Sequence, residues 1–541
     1  MSPGQRSALL ALLVAHLLFG AAQIAMLPPW EGFDETGHYS SIQQVADTGT
    51  VPRLPAARMS QTVVDYAAVA PMPYESSPPF DRQDRWTYQR FFAASAAEIA
   101  AGRRAVHNRP RDARQFIASS SENYIAQHPP LFAWMLAPVA RMTSGMSLGG
   151  QLIVLRICAY TLAWLALVTG VRVAAQFTPE PSRIAVWAAA AWPIFMPSWY
   201  PSMARIGNDS LAALIVAALW AWIVTRGTDT VASAMVVGAL LGAGALTKAF
   251  FIPIAAGTFG WLAFRSVTES TERGRAMVRI AMSAALSGII AGWWYVGPSA
   301  VAVAGSEARQ LAALGGLPAA LTARFSMSGW FEGLFTFLGM AAWSSTWSLV
   351  RPPHIFFIPL VVVLCAGMAA YVAALRQHRP GSIQWLPLWW LVPVLAGFAY
   401  HILVHVALTG SGRGVGGYYL HILVAPLSFA LGIGVAATWH RRSTRALTAI
   451  HLAYVMAFVL VVSCAQLLLF AGYLMKDGAK QYARAAVLPP WFGVPDALER
   501  LSVLAFPHTA GLLALSGMAA LAYAASAYAR HQVLPPLERR S

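Results

Sequence analysis

Apolar runs dominate the chain, and their lengths set the first expectation. Runs near the about 17–25 residues needed to cross a bilayer fall at 7–27, 151–175, 184–200, 209–225, 231–247, 250–265, 279–299, 355–375, 384–408, 417–438, 446–474 and 508–529. Two further stretches fit less well. PPLFAWMLAPVARM (129–142) would make a helix only about 20 Å long against a hydrocarbon core of about 30 Å, so it reads as an interfacial helix. WFEGLFTFLGMAAWSSTWSL (330–349) is long enough, but Glu332 and its Gly, Ser and Trp content suit a re-entrant or surface segment.

The arginines order these runs. With neither ambiguous stretch spanning, one side collects Arg6, Arg172, Arg183, Arg226, Arg265, Arg273, Arg275, Arg279, Arg376, Arg379, Arg441, Arg442, Arg445, Arg530, Arg539 and Arg540. The other side keeps only isolated cations in its short connections, Arg205, Lys248 and Arg413. If one ambiguous stretch spanned, the Arg441–Arg445 cluster would face outward, against the positive-inside bias. If both spanned, the cluster from Arg265 to Arg279 would do so. The expectation is an all-α polytopic membrane protein with about 12 transmembrane helices (range 11–13) and both termini inside. Residues 1–530 form one transmembrane unit and 531–541 a short cytoplasmic tail. A large outer loop, 28–150, carries juxtamembrane helices, and further outer loops cover 300–354 and 475–507.

Composition agrees. Charged residues make up 11% and hydrophobic residues 57%, with a mean hydropathy of +0.54, where a soluble domain carries about 25% charged residues. The net charge of +16 implies no nucleic-acid partner, because the arginines are dispersed between apolar runs. Cys158, Cys365 and Cys464 each lie in an apolar run, which speaks against a disulfide framework and shows no metal-ligand spacing. The first run exceeds the about 7–15 apolar residues of a cleaved signal peptide, so it reads as a retained helix. The 28–150 loop is nearly neutral and rich in Trp, Tyr, Phe and Pro, more like a folded cap than a linker. No internal repeat is visible, which disfavours an inverted-repeat transporter.

On this topology the ionisable residues of one face converge. Asp34, Glu35 and His38 follow the first run, His128 precedes PPLF, and Arg156 lies just inside the second run. MARIGNDSLAAL places Arg205, Asn208 and Asp209 at the start of the fourth, and LTKAFF places Lys248 between the fifth and sixth. GSGRGVGGYY brings Arg413, Tyr418 and Tyr419 before the tenth. Each has a plainer reading. Asp209, or the Asp34–Glu35 pair, would cap a helix. Lys248 would be a helix-end cation reaching for the interface, and His128 would end an extended segment before two prolines. Together they suit another role: a carboxylate as general base, and Arg and Lys to hold a phosphate and stabilise its charge as it leaves. A cleft between the membrane and a folded cap would admit a lipid substrate from the side. The predicted chemistry is transfer of a group from a lipid phosphate to a hydroxyl.

These same blocks resemble the GT-C superfamily of integral-membrane glycosyltransferases. FDETGHYSSIQQVADTGTVP looks like that superfamily's first-loop motif, an Asp or Asp-Glu pair after the first helix. QHPPLFAWMLAPVARM is similar to the motif closing that loop in protein O-mannosyltransferases and lipid A aminoarabinose transferases. WYPSMARIGNDSLAAL resembles the second acidic motif, and GALLGAGALTKAFFIPI the Gly-rich helix that ends in Lys. SGRGVGGYYLHILVAPL and RFSMSGWFEGLF match an Arg loop and a tryptophan-rich segment of an uncharacterised bacterial membrane-protein family. The resemblance runs in order from about residue 8 to 440. It implies a polyprenyl-phosphate sugar donor, a glycan, lipid or protein acceptor, and inverting transfer at the outer face of the bacterial cytoplasmic membrane. Asp34 would be the base, Glu35 and Asp209 would shape the acceptor site or position the base, and His128, Lys248 and Arg413 would meet the phosphate. Users of polyprenyl monophosphate with this fold commonly need no cofactor, although two carboxylates on one face could share a divalent cation. Two departures stand out: Tyr418 follows GVGG where an Arg-Tyr pair is usual, and His128 replaces a Lys. Two other classes compete, a transporter or flippase for a lipid-linked substrate and a non-catalytic scaffold for envelope assembly.

Overall fold

The structure is a computed structural model that describes residues 3–74, 79–80, 84–108, 115–177, 184–269, 272–296, 310–350, 353–412, 416–439, 441–477, 481–484 and 494–533. Helix α1 (Pro3–Met26) leads into a first loop that folds as α2 (Glu35–Thr48), β1 (Arg58–Ser60), α3 (Gln61–Val69), α4 (Tyr88–Phe92), α5 (Ala96–His107), β2 (Ala118–Glu122) and α6 (Leu131–Met142). Next come α7 (Leu148–Phe177), the short α8 (Ile184–Ala190), α9 (Trp192–Phe195) and α10 (Trp199–Met203), then α11 (Asp209–Arg226), α12 (Val231–Ala245), α13 (Phe251–Thr268) and α14 (Arg273–Tyr295). The chain continues through α15 (Leu317–Arg324), α16 (Met327–Ala342), α17 (Ile358–Leu375), α18 (Leu386–Thr409), α19 (Val424–Thr438), α20 (Arg442–Phe470), α21 (Val494–Leu501) and α22 (Pro507–Val533).

Among the described residues, nine helices are long and apolar enough to cross a membrane, which makes this a multi-pass membrane protein. They match nine of the twelve expected runs. The other three differ in length, apolarity or continuity. Helix α12 has 15 residues, about 22 Å at about 1.5 Å per residue, and α13 has 18 residues ending in Arg265–Thr268. The expected span at 184–200 is a correction: the chain breaks into α8, α9 and α10. Pro193, Pro197 and Pro201 supply no N–H, and proline disfavours helix in the residue before it. His16, buried in α1, lies 2.9 Å through Nε2 from the Ala190 carbonyl freed by the first break, and 2.8 Å through Nδ1 from the Tyr200 hydroxyl. A polar side chain from a neighbouring helix thus repairs the interrupted ladder. Both ambiguous stretches stay short. Helix α6 has 12 residues and α16 has 16, about 18 and 24 Å, less than a hydrocarbon core.

Burial separates centre from rim: 78% of the apolar window in Gly417–Thr438 and 67% of that in α11 is buried, against 11% in α14. Close approach at the centre depends on glycine. A Cβ on Gly417 would lie 1.7 Å from the Phe337 carbonyl oxygen, so only glycine lets the turn at Gly417–Leu423 press against α16. The described residues of the first loop are folded. Strands β1 and β2 pair antiparallel, and Ser95 and Glu98 form a reciprocal capping box on α5. Helix direction then sorts the charges. The end of α1, the starts of α7, α11 and α13, and the end of α12 share one end of the bundle. Arg172, Arg226, Arg265, Arg273, Arg376 and Arg442 sit at the ends of helices that point the other way.

Candidate active site

The first charged assembly is a strut under the Pro28–Glu35 turn. Arg156 of α7, 1% exposed, donates through Nε to Glu35 Oε1 at 2.8 Å and through Nη2 to Oε2 at 2.7 Å. It also donates to the carbonyls of Leu27 (2.7 Å) and Pro28 (2.8 Å), just past α1. The Glu35 carboxylate also accepts from the Gly32 amide (3.2 Å) and the Ile206 amide (3.0 Å). The Glu35 carboxylate thus accepts four hydrogen bonds, and Arg156 donates four of its five hydrogens. The two residues expected in the catalytic and substrate-binding sets bind the ends of α1, α7 and α11 together.

Asp34, one residue earlier, is held differently. It sits in the left-handed region, φ 64°, at the N-cap position of α2, yet its side chain caps nothing. Its Oδ1 accepts from the Tyr124 hydroxyl at 3.0 Å. Asp34 is half-buried, whereas Glu31, Glu35 and Asp209 are buried. Burial raises its pKa above the usual carboxylate range, while Arg205, Tyr124 and Lys248 pull the other way. Trp30, four residues before, also has positive φ (69°), so the turn holds two residues in a conformation that non-glycine side chains rarely adopt.

Asp209 opens α11 but does not serve as a cap. One oxygen accepts from Arg205 Nη2 at 2.6 Å, and the other pairs with Lys248 Nζ. Arg205 ties this triad to the Asp34 turn, donating through Nη1 to the Phe33 carbonyl at 2.5 Å and through Nε to the Ser202 carbonyl at 2.9 Å. Asn208 donates to the Thr247 carbonyl at 3.0 Å, bringing the start of α11 against the turn that carries Lys248. Lys248 is 4% exposed, so it does not reach for an interface. Its Nζ lies 4.1 Å from the centroid of the Tyr419 ring, and the Arg205 guanidinium carbon 5.1 Å from that of Tyr418. Phe33 stacks on Tyr418 at 5.1 Å with the planes 2° apart.

The two histidines lie alongside. His38 and His128 stack at 5.9 Å, 12° from parallel. Together with Ser41, Pro130, Phe132 and Asn208 they line a small cavity. Burial pushes His128 down to about 4 and His38 well below its ordinary value. Burial thus favours the neutral imidazole at both positions.

Of the expected site residues, Asp34, His38, His128, Arg205, Asn208, Asp209, Lys248, Tyr418 and Tyr419 come together, with Glu35 and Arg156 immediately behind. Arg413 lies outside the described residues. Sequence reasoning missed Tyr124, which has no motif around it, and Glu31, whose charge beside an apolar run was a readable signal. Among the described residues no three His, Cys, Asp or Glu side chains converge in a way that could hold a metal ion. Both Asp209 oxygens are already occupied by cations, so a divalent ion would meet one open carboxylate, Asp34.

No family model and no curated protein sequence matches the chain. Solved structures do show similarity. ArnT from Cupriavidus metallidurans bound to undecaprenyl phosphate is 14% identical, with a TM-score of 0.38 over 88% of this chain and 80% of that one. The Archaeoglobus fulgidus oligosaccharyltransferase in complex with Zn and sulfate is 13% identical, with a TM-score of 0.38 over 85% and 52%. The archaeal oligosaccharyltransferase AglB from the same organism, with an inhibitory peptide and a dolichol-phosphate, is 13% identical, with a TM-score of 0.37 over 87% and 56%. Similarity of this degree assigns no activity to the chain.

Proposed function

We propose that the protein is a membrane glycosyltransferase that moves a sugar from a polyprenyl-phosphate donor to an acceptor hydroxyl, with inversion, at the outer face of a bacterial cytoplasmic membrane. The observation that carries this reading is Asp34, a half-buried carboxylate with a raised pKa beside a buried Asp209–Arg205–Lys248 triad. The acceptor hydroxyl gives its proton to Asp34 as its oxygen attacks the anomeric carbon. The bond from that carbon to the phosphate oxygen breaks, and the polyprenyl phosphate leaves with the electron pair. Lys248 and Arg205 face the developing charge from pre-set positions, which lowers the barrier without reorganisation at the moment of reaction. Asp209 keeps both cations in place, and the Tyr124 hydroxyl orients Asp34. His38 and His128, neutral, donate or accept hydrogen bonds beside the phosphate rather than adding charge. Glu35 and Arg156 support the turn. The basic end of the bundle lies in the cytoplasm and the site faces outward.

The broken α8–α10 stretch favours transport at first sight, since transporters bind substrates on discontinuous helices. Residues 184–203 contain no Asp, Glu, Lys, Arg or His, so this break presents no charged group. The test is purified protein in detergent with a radiolabelled polyprenyl-phosphate sugar, where no compartments exist. Sugar transfer or donor cleavage by the wild type and not by Asp34→Asn is the expected result. Equal rates for the two proteins would overturn the assignment of the base.

A further inference from the structure

The opening turn is also held by a segment 317 residues away in sequence. In WSSTWSLV, residues 343–350, the side chains of Ser344, Ser345, Thr346 and Ser348 are all 0% exposed. Ser344 is hydrogen-bonded to Ser198 at 2.8 Å and Ser202 at 3.0 Å, which anchors the segment to α10 and the turn before it. Its other anchor is Glu31. The Glu31 carboxylate accepts from the Ser348 hydroxyl (2.7 Å), the Ser348 amide (3.2 Å) and the Tyr88 hydroxyl (2.5 Å), and its carbonyl accepts from the Trp347 amide (2.9 Å). Ser345 (φ 61°) and Leu349 (φ 50°) are both left-handed. A segment with strained backbone at both ends is thus clamped at its centre by a buried carboxylate.

The clamp presents one large side chain. Of residues 343–350 only Trp347 and Leu349 are not fully buried. Trp347 meets Phe33 edge-on at 4.9 Å and 68°, and Phe33 precedes Asp34. A tryptophan that merely marks a membrane interface needs no such anchoring. A planar indole packed against the residue that precedes the base suits a substrate with a flat, C–H-rich face and hydroxyls on its edge, because the negative ring face attracts polarised C–H groups. An alkyl or peptide acceptor has no such face.

We propose that Trp347 is an acceptor platform, that the acceptor is a carbohydrate whose ring lies on the indole, and that Glu31 is the positioning residue that holds the platform against Phe33, the residue before Asp34. The inference rests on the glycosyltransferase reading, but its test reads binding rather than transfer. Full-length protein in nanodiscs is mixed with methyl glycosides of glucose, galactose, mannose and arabinose, and saturation-transfer NMR records which ring protons touch protein. An acetylated serine peptide amide and n-octanol serve as the rival acceptor classes.

At least one glycoside is expected to show transfer to the protons of one ring face. Its apparent Kd should rise at least tenfold in Trp347→Ala and Glu31→Ala, and by less than threefold in Trp347→Phe. Binding of undecaprenyl phosphate to the same variants should be unchanged, which a general loss of structure would not allow. Unchanged glycoside binding in Trp347→Ala would overturn the platform, as would Trp347-dependent binding of the peptide or n-octanol alone. Glycoside binding unaffected by Glu31→Ala would overturn the positioning role. An active Asp34→Asn would instead sink the catalytic reading and leave this binding result standing.

Discussion

Asp34 and Glu35 are neighbours in sequence and alike in charge, yet they belong to different assemblies. Glu35 lies in the strut, where Arg156 and two backbone amides use its oxygens. Asp34 accepts one hydroxyl hydrogen bond and keeps part of its surface open. The difference comes from one left-handed residue. With φ at 64°, Asp34 turns the chain into α2, and its carboxylate meets Tyr124 while that of Glu35 meets Arg156. Aspartate tolerates that conformation better than most residues. A saturated carboxylate stabilises structure, and an unsaturated one is available for chemistry.

Four outcomes probe this contrast. The largest concerns the open carboxylate: Asp34→Asn should lower kcat by about 10²- to 10⁴-fold, the usual contribution of a general base, while the melting temperature stays near that of the wild type. Glu35→Ala should do the reverse. It strands a buried guanidinium, a loss of about 3–5 kcal/mol, seen as a lower melting temperature and less monodisperse protein on size exclusion. A Glu35→Ala protein that melts like the wild type but transfers no sugar would exchange the two roles.

Lys248→Ala should come next. Removing one pre-set cation costs about 10²-fold in kcat, read in donor-saturated turnover, and the Asp209–Arg205 pair remains to hold the fold. The smallest effect is the pH profile. A base works when deprotonated, so kcat/KM for the acceptor should fall as pH drops through the pKa of Asp34. Because burial raises that pKa, the fall begins at a higher pH than for an ordinary carboxylate near 3.9. His128, held down to about 4, should add no limb near pH 6.5. A limb there that disappears in His128→Gln would show that the imidazole titrates during turnover.

Much of the architecture was legible because a bilayer leaves few choices for an apolar run. Arginine placement sorted the helix ends, and the candidate residues other than Arg413, which lies outside the described residues, stand at one end of the bundle. The break at 184–203 was not legible, since Trp, Ala and Pro keep the run apolar whether or not its hydrogen bonds continue. The capping roles considered for Asp209 and Asp34 were locally sound, and tertiary partners displaced them: Lys248 is 39 residues from Asp209 and Tyr124 is 90 from Asp34. Glu31 and Ser348 show the limit most clearly, because no spacing rule connects residues 317 apart.

By itself the sequence determined that the chain is a multi-pass helical membrane protein with a folded first loop, and that its carboxylates and cations gather at the end away from the arginine clusters. Hydropathy and charge act on each segment separately, so they can be read one segment at a time. Only the tertiary structure decided which carboxylate is locked and which is open, that Asp209 holds both Arg205 and Lys248, and that Trp347 packs against Phe33, the residue before Asp34. Those outcomes depend on a backbone dihedral and on side chains meeting across helices, and hydrogen bonds are made between positions in space rather than positions along a chain.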